Sequence, residues 1–154
     1  GMAAAGLRVL QRGLRSPRVL VDAFRVPNID YSAGARAAKS GATSMIDISD
    51  GLVADLQHIA RDSGVCIEVN TQKIAVPDEL VSTAAAFGVD PMEWILAGGD
   101  DHAIVATFPP KKTMPKGFTA LGKVGSAPVG TVLINGVAYA DAYEQVPGFR
   151  HFSS

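Results

Sequence analysis

Asp47, Ser49 and Asp50 bring two carboxylates and a hydroxyl together where the run Ala42-Thr43-Ser44-Met45-Ile46 gives way to Leu52-Val53-Ala54-Asp55-Leu56. Two acids this close repel each other unless a cation lies between them. Magnesium suits such a place, because it takes a small number of carboxylates and fills its remaining positions with water and phosphate oxygens. A following helix N-terminus and the Ser49 hydroxyl would favour the phosphate. The pattern therefore points to a metal-phosphate or metal-nucleotide site with Mg2+ at Asp47 and Asp50. A purely structural role competes for Asp50, which at the helix N-cap would accept a hydrogen bond from free backbone N–H groups. Asp47 has no such explanation.

A second group follows at Gly98-Gly99-Asp100-Asp101-His102, between Trp94-Ile95-Leu96-Ala97 and Ala103-Ile104-Val105-Ala106-Thr107-Phe108. Paired glycines mark a tight turn or a close backbone approach. Consecutive residues entering a strand face opposite sides, so Asp100 and Asp101 are not expected to share one role. Aspartates bonded to their own turn are the structural alternative. His102 stands without a second histidine at ligand spacing, which leaves packing, ligation and base chemistry open for it.

The elements that must hold these residues are legible from periodicity. Ile46 and Ile48 alternate with Asp47 and Ser49, so a strand over residues 43–48 buries the isoleucines and turns Asp47 and Ser49 to the other face. Leu52, Leu56 and Ile59, with Val53 and Ala60, predict a helix over 51–62 that Gly64 stops. Further helices are expected at 3–14, at 17–25 with Ser16 as cap and Pro17 in the first turn, and at 32–39, 78–87 and 91–97. Strands are expected at 65–69, 103–108, 119–124, 130–134 and 137–140, the last pair joined by the hairpin signal Asn135-Gly136. This irregular order of helices and strands argues an α+β fold with a mixed sheet flanked by helices.

The motifs Asp47-Ile48-Ser49-Asp50-Gly51-Leu52, Asp55-Leu56, Ser63-Gly64-Val65, Leu96-Ala97-Gly98-Gly99-Asp100-Asp101 and Gly148-Phe149-Arg150-His151-Phe152 together resemble thiamine-monophosphate kinase. The resemblance covers most of the chain but only the C-terminal half of such an enzyme. It implies the C-terminal domain fold of the aminoimidazole ribonucleotide synthetase-like superfamily, partly ferredoxin-like. That superfamily also includes formylglycinamidine ribonucleotide synthetase, selenophosphate synthetase and the hydrogenase-maturation dehydratase. The implied reaction is direct transfer of the ATP γ-phosphoryl group to thiamine monophosphate, giving thiamine diphosphate. The resemblance assigns Mg2+ to Asp47 and Asp50, an ATP phosphate to Ser49, and substrate contacts to Asp100 and Phe149. It also implies a homodimer and an N-terminal ATP-binding domain not contained in residues 1–154.

The chain departs from the family pattern Gly-Gly-Glu-Asp-Tyr-Glu-Leu at Asp100, His102 and Ala103, which loosens the substrate contact more than the metal pair. Phe152 competes with Phe149 as the ring against substrate, and either could simply anchor the tail. Gly1 before Met2 reads as the remnant of a cleaved tag, and a half-site without useful kinase activity is the expectation for this piece alone. The alternatives are a non-catalytic binding or interaction module of the same fold, or a superfamily enzyme acting on a purine-pathway substrate.

Composition excludes several other classes. The 154 residues are 47% hydrophobic and 19% charged, enough for one domain with a real core, and the net charge of -1 recommends no polyanionic partner. Arg8, Arg12 and Arg15 form one helical stripe, but no aromatic interleaving accompanies them, so a solvated face is the reading and nucleic acid is not an expected partner. Cys66 is the single cysteine, inside the strand-like Val65-Cys66-Ile67-Glu68-Val69, and reads as a small core residue. No apolar run of membrane-spanning length and no secretory pattern occur, which makes the cytoplasm the expected compartment. No Walker loop is present, so ATP would be held by other means.

Overall fold

The computed structural model describes residues 1–139, and Phe149 and Phe152 lie outside them. Among the described residues the α-helices are α1 (Met2–Gln11), α2 (Arg18–Arg25), α3 (Ala33–Lys39), α4 (Leu52–Ser63), α5 (Asp78–Phe87) and α6 (Pro91–Ala97). The strands are β1 (Ser44–Asp47), β2 (Cys66–Val69), β3 (Ile104–Thr107), β4 (Gly122–Gly125), β5 (Thr131–Ile134) and β6 (Val137–Ala138), with a 3-10 turn over Thr71–Lys73. Among the described residues no helix is long and apolar enough to cross a membrane.

The strands divide into an antiparallel β1-β3 pair and a four-stranded sheet in the order β4-β2-β5-β6. In the larger sheet β2 runs parallel to β5, and the other pairings are antiparallel, which makes it the mixed sheet expected. Asn135 (φ 51°) and Gly136 (φ 86°) take the left-handed conformations a tight hairpin turn needs, and Ile134 pairs with Val137 across it.

Several expected boundaries move, and the strand expected at 119–124 is found as β4 at Gly122–Gly125. The first helix ends at Gln11 rather than near residue 14, because the chain turns at Gly13. Ser16 does not cap α2: Pro17 occupies the N-cap with extended backbone, and no side chain bonds the first turn.

One apolar cluster joins α4 to the mixed sheet. It contains Leu52, Leu56 and Ile59 from the helix, Ile67 and Val69 from β2, Val132 and Ile134 from β5, and Leu96 from α6. A second, built on Leu20, Leu80, Ala84 and Trp94, ties α1 and α2 to α5 and α6. Cys66 is buried with a free thiol, as a core residue should be. Because α4 contributes three turns of side chains to the first cluster, its N-terminal end is anchored, and the loop entering it starts from a fixed base.

Candidate active site

β1 and β3 lie in register from Ser44 opposite Thr107 to Asp47 opposite Ile104. The ladder runs one step further, with the Ile48 N–H donating to Ala103 O at 2.8 Å and the His102 N–H to Ile48 O at 2.9 Å. Beyond it, the Asp100 N–H donates to Ser49 O at 2.9 Å. The two motifs separated by fifty residues of sequence are thus stitched backbone to backbone, and Asp47, Ser49, Asp50, Asp100 and His102 gather at one end of the β1-β3 pair.

This approach is as close as the glycines permit. A Cβ on Gly99 would lie 2.2 Å from Ser49 O, one on Gly51 would lie 2.9 Å from the Ala97 carbonyl, and one on Gly98 would lie 2.2 Å from Trp94 O. The close backbone approach expected of Gly98-Gly99 is therefore present, and its partner is the Ser49-Asp50 segment. Asp100 (φ 62°) and His102 (φ 51°) both hold left-handed backbone that costs a non-glycine residue energy, a feature that concentrates at functional turns.

Asp50 does not cap α4. The N-cap is Gly51, whose φ of 125° is accessible to glycine alone, and no side chain caps the helix from that position. The carboxylate that organises the turn is Asp55, inside the first turn of the helix. Its Oδ2 accepts hydrogen bonds from the N–H groups of Ser49 (3.0 Å), Asp50 (3.1 Å) and Gly51 (3.2 Å). Asp55 is 2% exposed. Three successive N–H groups make an anion-binding nest, and here the chain's own carboxylate fills it. These three donors lie ahead of the helix and at its N-cap, and the first-turn N–H groups of α4 at Leu52, Val53 and Ala54 are not among those Asp55 engages.

Asp55 is the residue that the sequence reading passed over. Its signal was present: it interrupts the apolar stripe Leu52, Leu56, Ile59 on the face that enters the core, where an unpartnered acid does not belong.

The acids then part. Asp47 is half-exposed at the end of β1, with His102 Nδ1 3.6 Å from its Oδ2, too far for a hydrogen bond. Asp50 is exposed, and a donor atom of its carboxylate lies within 4.8 Å of donors from Asp55 and His58. Asp101 faces away from both, accepting the Ala3 N–H at 3.0 Å and the Gly1 amino group, so that it holds the start of α1. Asp100 and Asp101 lie ahead of β3, with Asp100 in left-handed backbone, so the strand alternation expected of them does not apply. An apolar cleft of about 380 Å³ opens between β3 and residues 114–124, with Ile48, Leu52 and Leu56 on its wall and none of the acids in its lining.

Comparison with known proteins gives this arrangement its context. No family model matches the chain. A thiamine-monophosphate kinase of Mycobacterium tuberculosis (strain ATCC 25618 / H37Rv) is 42% identical over 137 residues, which are 88% of this chain and 40% of that protein. The crystal structure of thiamine monophosphate kinase (ThiL) from Aquifex aeolicus superposes with a TM-score of 0.79 at 31% identity, covering 90% of this chain and 48% of that one. AaThiL complexed with AMPPCP and TMP superposes at 0.83 with 29% identity, over 98% of this chain and 48% of the other. The chain spans about two-fifths of the length of the curated relatives it matches. Over that span the chain is similar in sequence and in fold to thiamine-monophosphate kinases.

Proposed function

We propose that residues 1–154 form the C-terminal half of an ATP-dependent thiamine-monophosphate kinase that makes thiamine diphosphate and ADP. One observation carries the reading: Ser49, assigned to an ATP phosphate, and Asp100, assigned to the substrate, are joined by a 2.9 Å backbone hydrogen bond. Transfer between two phosphates asks a protein chiefly to hold donor and acceptor in line and to neutralise charge. A junction that fixes nucleotide-side and acceptor-side groups against each other does the first of these. The relatives named above support the substrates, since one binds AMPPCP and TMP.

The residues fit magnesium by the chemistry of their donors, with carboxylates at Asp47 and Asp50 beside a serine hydroxyl. Bound there, the ion would shield the triphosphate from the acids and draw charge off the transferred group. Asp47 and Asp50 would hold it, and Ser49 would orient a phosphate oxygen. Asp100 would face the cationic thiazolium. A phosphate oxygen of thiamine monophosphate attacks the γ-phosphorus while the bond to the ADP oxygen breaks, and no phosphoenzyme is needed. Phe149 as an aromatic surface for the thiamine rings, a cytoplasmic homodimer and an N-terminal ATP-binding domain complete the reading.

Incubation of the intact protein with ATP, magnesium and thiamine monophosphate is expected to yield thiamine diphosphate, whereas aminoimidazole-type and formylglycinamidine-type ribonucleotide precursors remain unchanged. Turnover on those precursors instead would overturn the assignment. The 154-residue chain alone is expected to show no useful transfer in the same assay, and turnover comparable with the intact protein would refute the half-site account.

A further inference from the structure

We propose that Asp101 is a positioning residue: by capping α1 across the fold it holds the loop over residues 98–102 so that the Asp100 N–H stays bonded to Ser49 O. The inference rests on the reading above only where it concerns substrate.

The start of α1 lacks a cap of its own. Its N-cap is Gly1, no side chain bonds the first turn from there, and that turn contains no acid. Free N–H groups at a helix N-terminus favour a carboxylate, through hydrogen bonds and through the helix dipole. Asp101 supplies it from 98 positions beyond Ala3. Its Oδ1 accepts the Ala3 N–H at 3.0 Å, and its Oδ2 accepts the Gly1 amino group. Both oxygens are thereby turned to α1.

Backbone docks there as well as charge. A Cβ on Gly98 would lie 2.6 Å from the Ala4 Cβ, so the missing side chain is what lets α1 sit directly on the loop. The helix is itself fixed by Ala5, which packs in the cluster of Leu20, Leu80 and Trp94. The anchor point does not give.

Asp101 also stands between the two left-handed residues of the site, Asp100 (φ 62°) and His102 (φ 51°). Such backbone persists in residues other than glycine only where the surroundings enforce it. On one side of the loop the N–H groups of Asp100 and His102 donate to Ser49 O and Ile48 O, each at 2.9 Å. On the other side the Asp101 carboxylate is drawn to α1. The loop is clamped between these holds, and losing the second frees Asp100 to relax away from Ser49.

Hydrogen exchange at the Ala3 and Asp100 amides of the 154-residue chain reads this clamp without any substrate. In Asp101→Ala both amides should exchange about tenfold faster, whereas Asp101→Asn, whose side-chain oxygen still accepts an N–H, should stay near the parent. In the intact protein Asp101→Ala should raise KM for thiamine monophosphate about tenfold while KM for ATP stays within about twofold, and Asp101→Asn should restore the parental value. Unchanged exchange at Asp100 in Asp101→Ala would overturn the proposal. So would a lower Tm with parental KM values, which marks a role in stability alone. Equal loss of transfer in Asp101→Asn and Asp101→Ala would overturn it too, because the charge itself would then be needed. Exchange that responds as expected in a protein with no action on thiamine monophosphate would uphold the clamp and defeat the kinase reading.

Discussion

Asp55→Asn is expected to lower stability by about 2–4 kcal/mol, although it changes a single atom of one buried side chain. The carboxylate accepts three backbone hydrogen bonds on one oxygen, and bonds to a charged acceptor are worth roughly twice those to a neutral one. An amide can still accept through its oxygen, but each of the three bonds weakens by something near 1 kcal/mol, and they act together. For a domain of this length the midpoint of thermal unfolding should fall by roughly 5–15 °C. Phosphoryl transfer in the intact protein should fall as well, since the same bonds hold Ser49 and Asp50 in place. A melt within about 1 °C of the parent would show that the loop is held by its packing and not by the filled nest.

Gly99→Ala should act through position more than through stability. The new methyl group would sit 2.2 Å from Ser49 O, against backbone that cannot rotate aside. Relief to an ordinary contact of about 3.2–3.4 Å requires the two segments to part by about 1 Å, at an overpacking cost of roughly 1–3 kcal/mol. That separation breaks or lengthens the bond from the Asp100 N–H to Ser49 O, which aligns the two halves of the site. A misplacement of this size costs about 100-fold in a reaction governed by alignment. The expected result is a folded protein with kcat down by about two orders of magnitude. Full activity in a folded Gly99→Ala variant would mean that the apposition of the two motifs has no part in transfer.

The sequence made some of this legible because the relevant physics is local. A stripe of Leu52, Leu56 and Ile59 can only be one face of a helix, and Asn135-Gly136 between apolar runs can only be a tight turn. Gly98-Gly99 announced a close approach, but not what approaches, since that depends on pairing across fifty residues. The separation of β1-β3 from the four-stranded sheet was hidden for the same reason: long-range register leaves no mark in either strand alone. Asp50 was placed at the N-cap by a rule that assumes the chain enters the helix directly. The φ of 125° at Gly51 inserts a sharp bend there and turns Asp50 outward, which hands the capping task to a residue four positions later. An acid on the buried stripe was the available clue, and it pointed to the keystone of the loop. The approach of His102 to Asp47 required both the strand register and the left-handed turn at His102, neither of which composition reveals.

The central claim is that a divalent cation at the acids around Ser49 docks the triphosphate of ATP. Its most direct test is nucleotide binding to the intact protein as a function of magnesium, with Asp50→Asn beside the parent and unfolding midpoints compared. The account predicts that magnesium strengthens ATP binding to the parent, that Asp50→Asn removes most of this gain, and that phosphoryl transfer falls at least about 100-fold with the fold intact. ATP binding and transfer in Asp50→Asn that keep the parent's dependence on magnesium would contradict it.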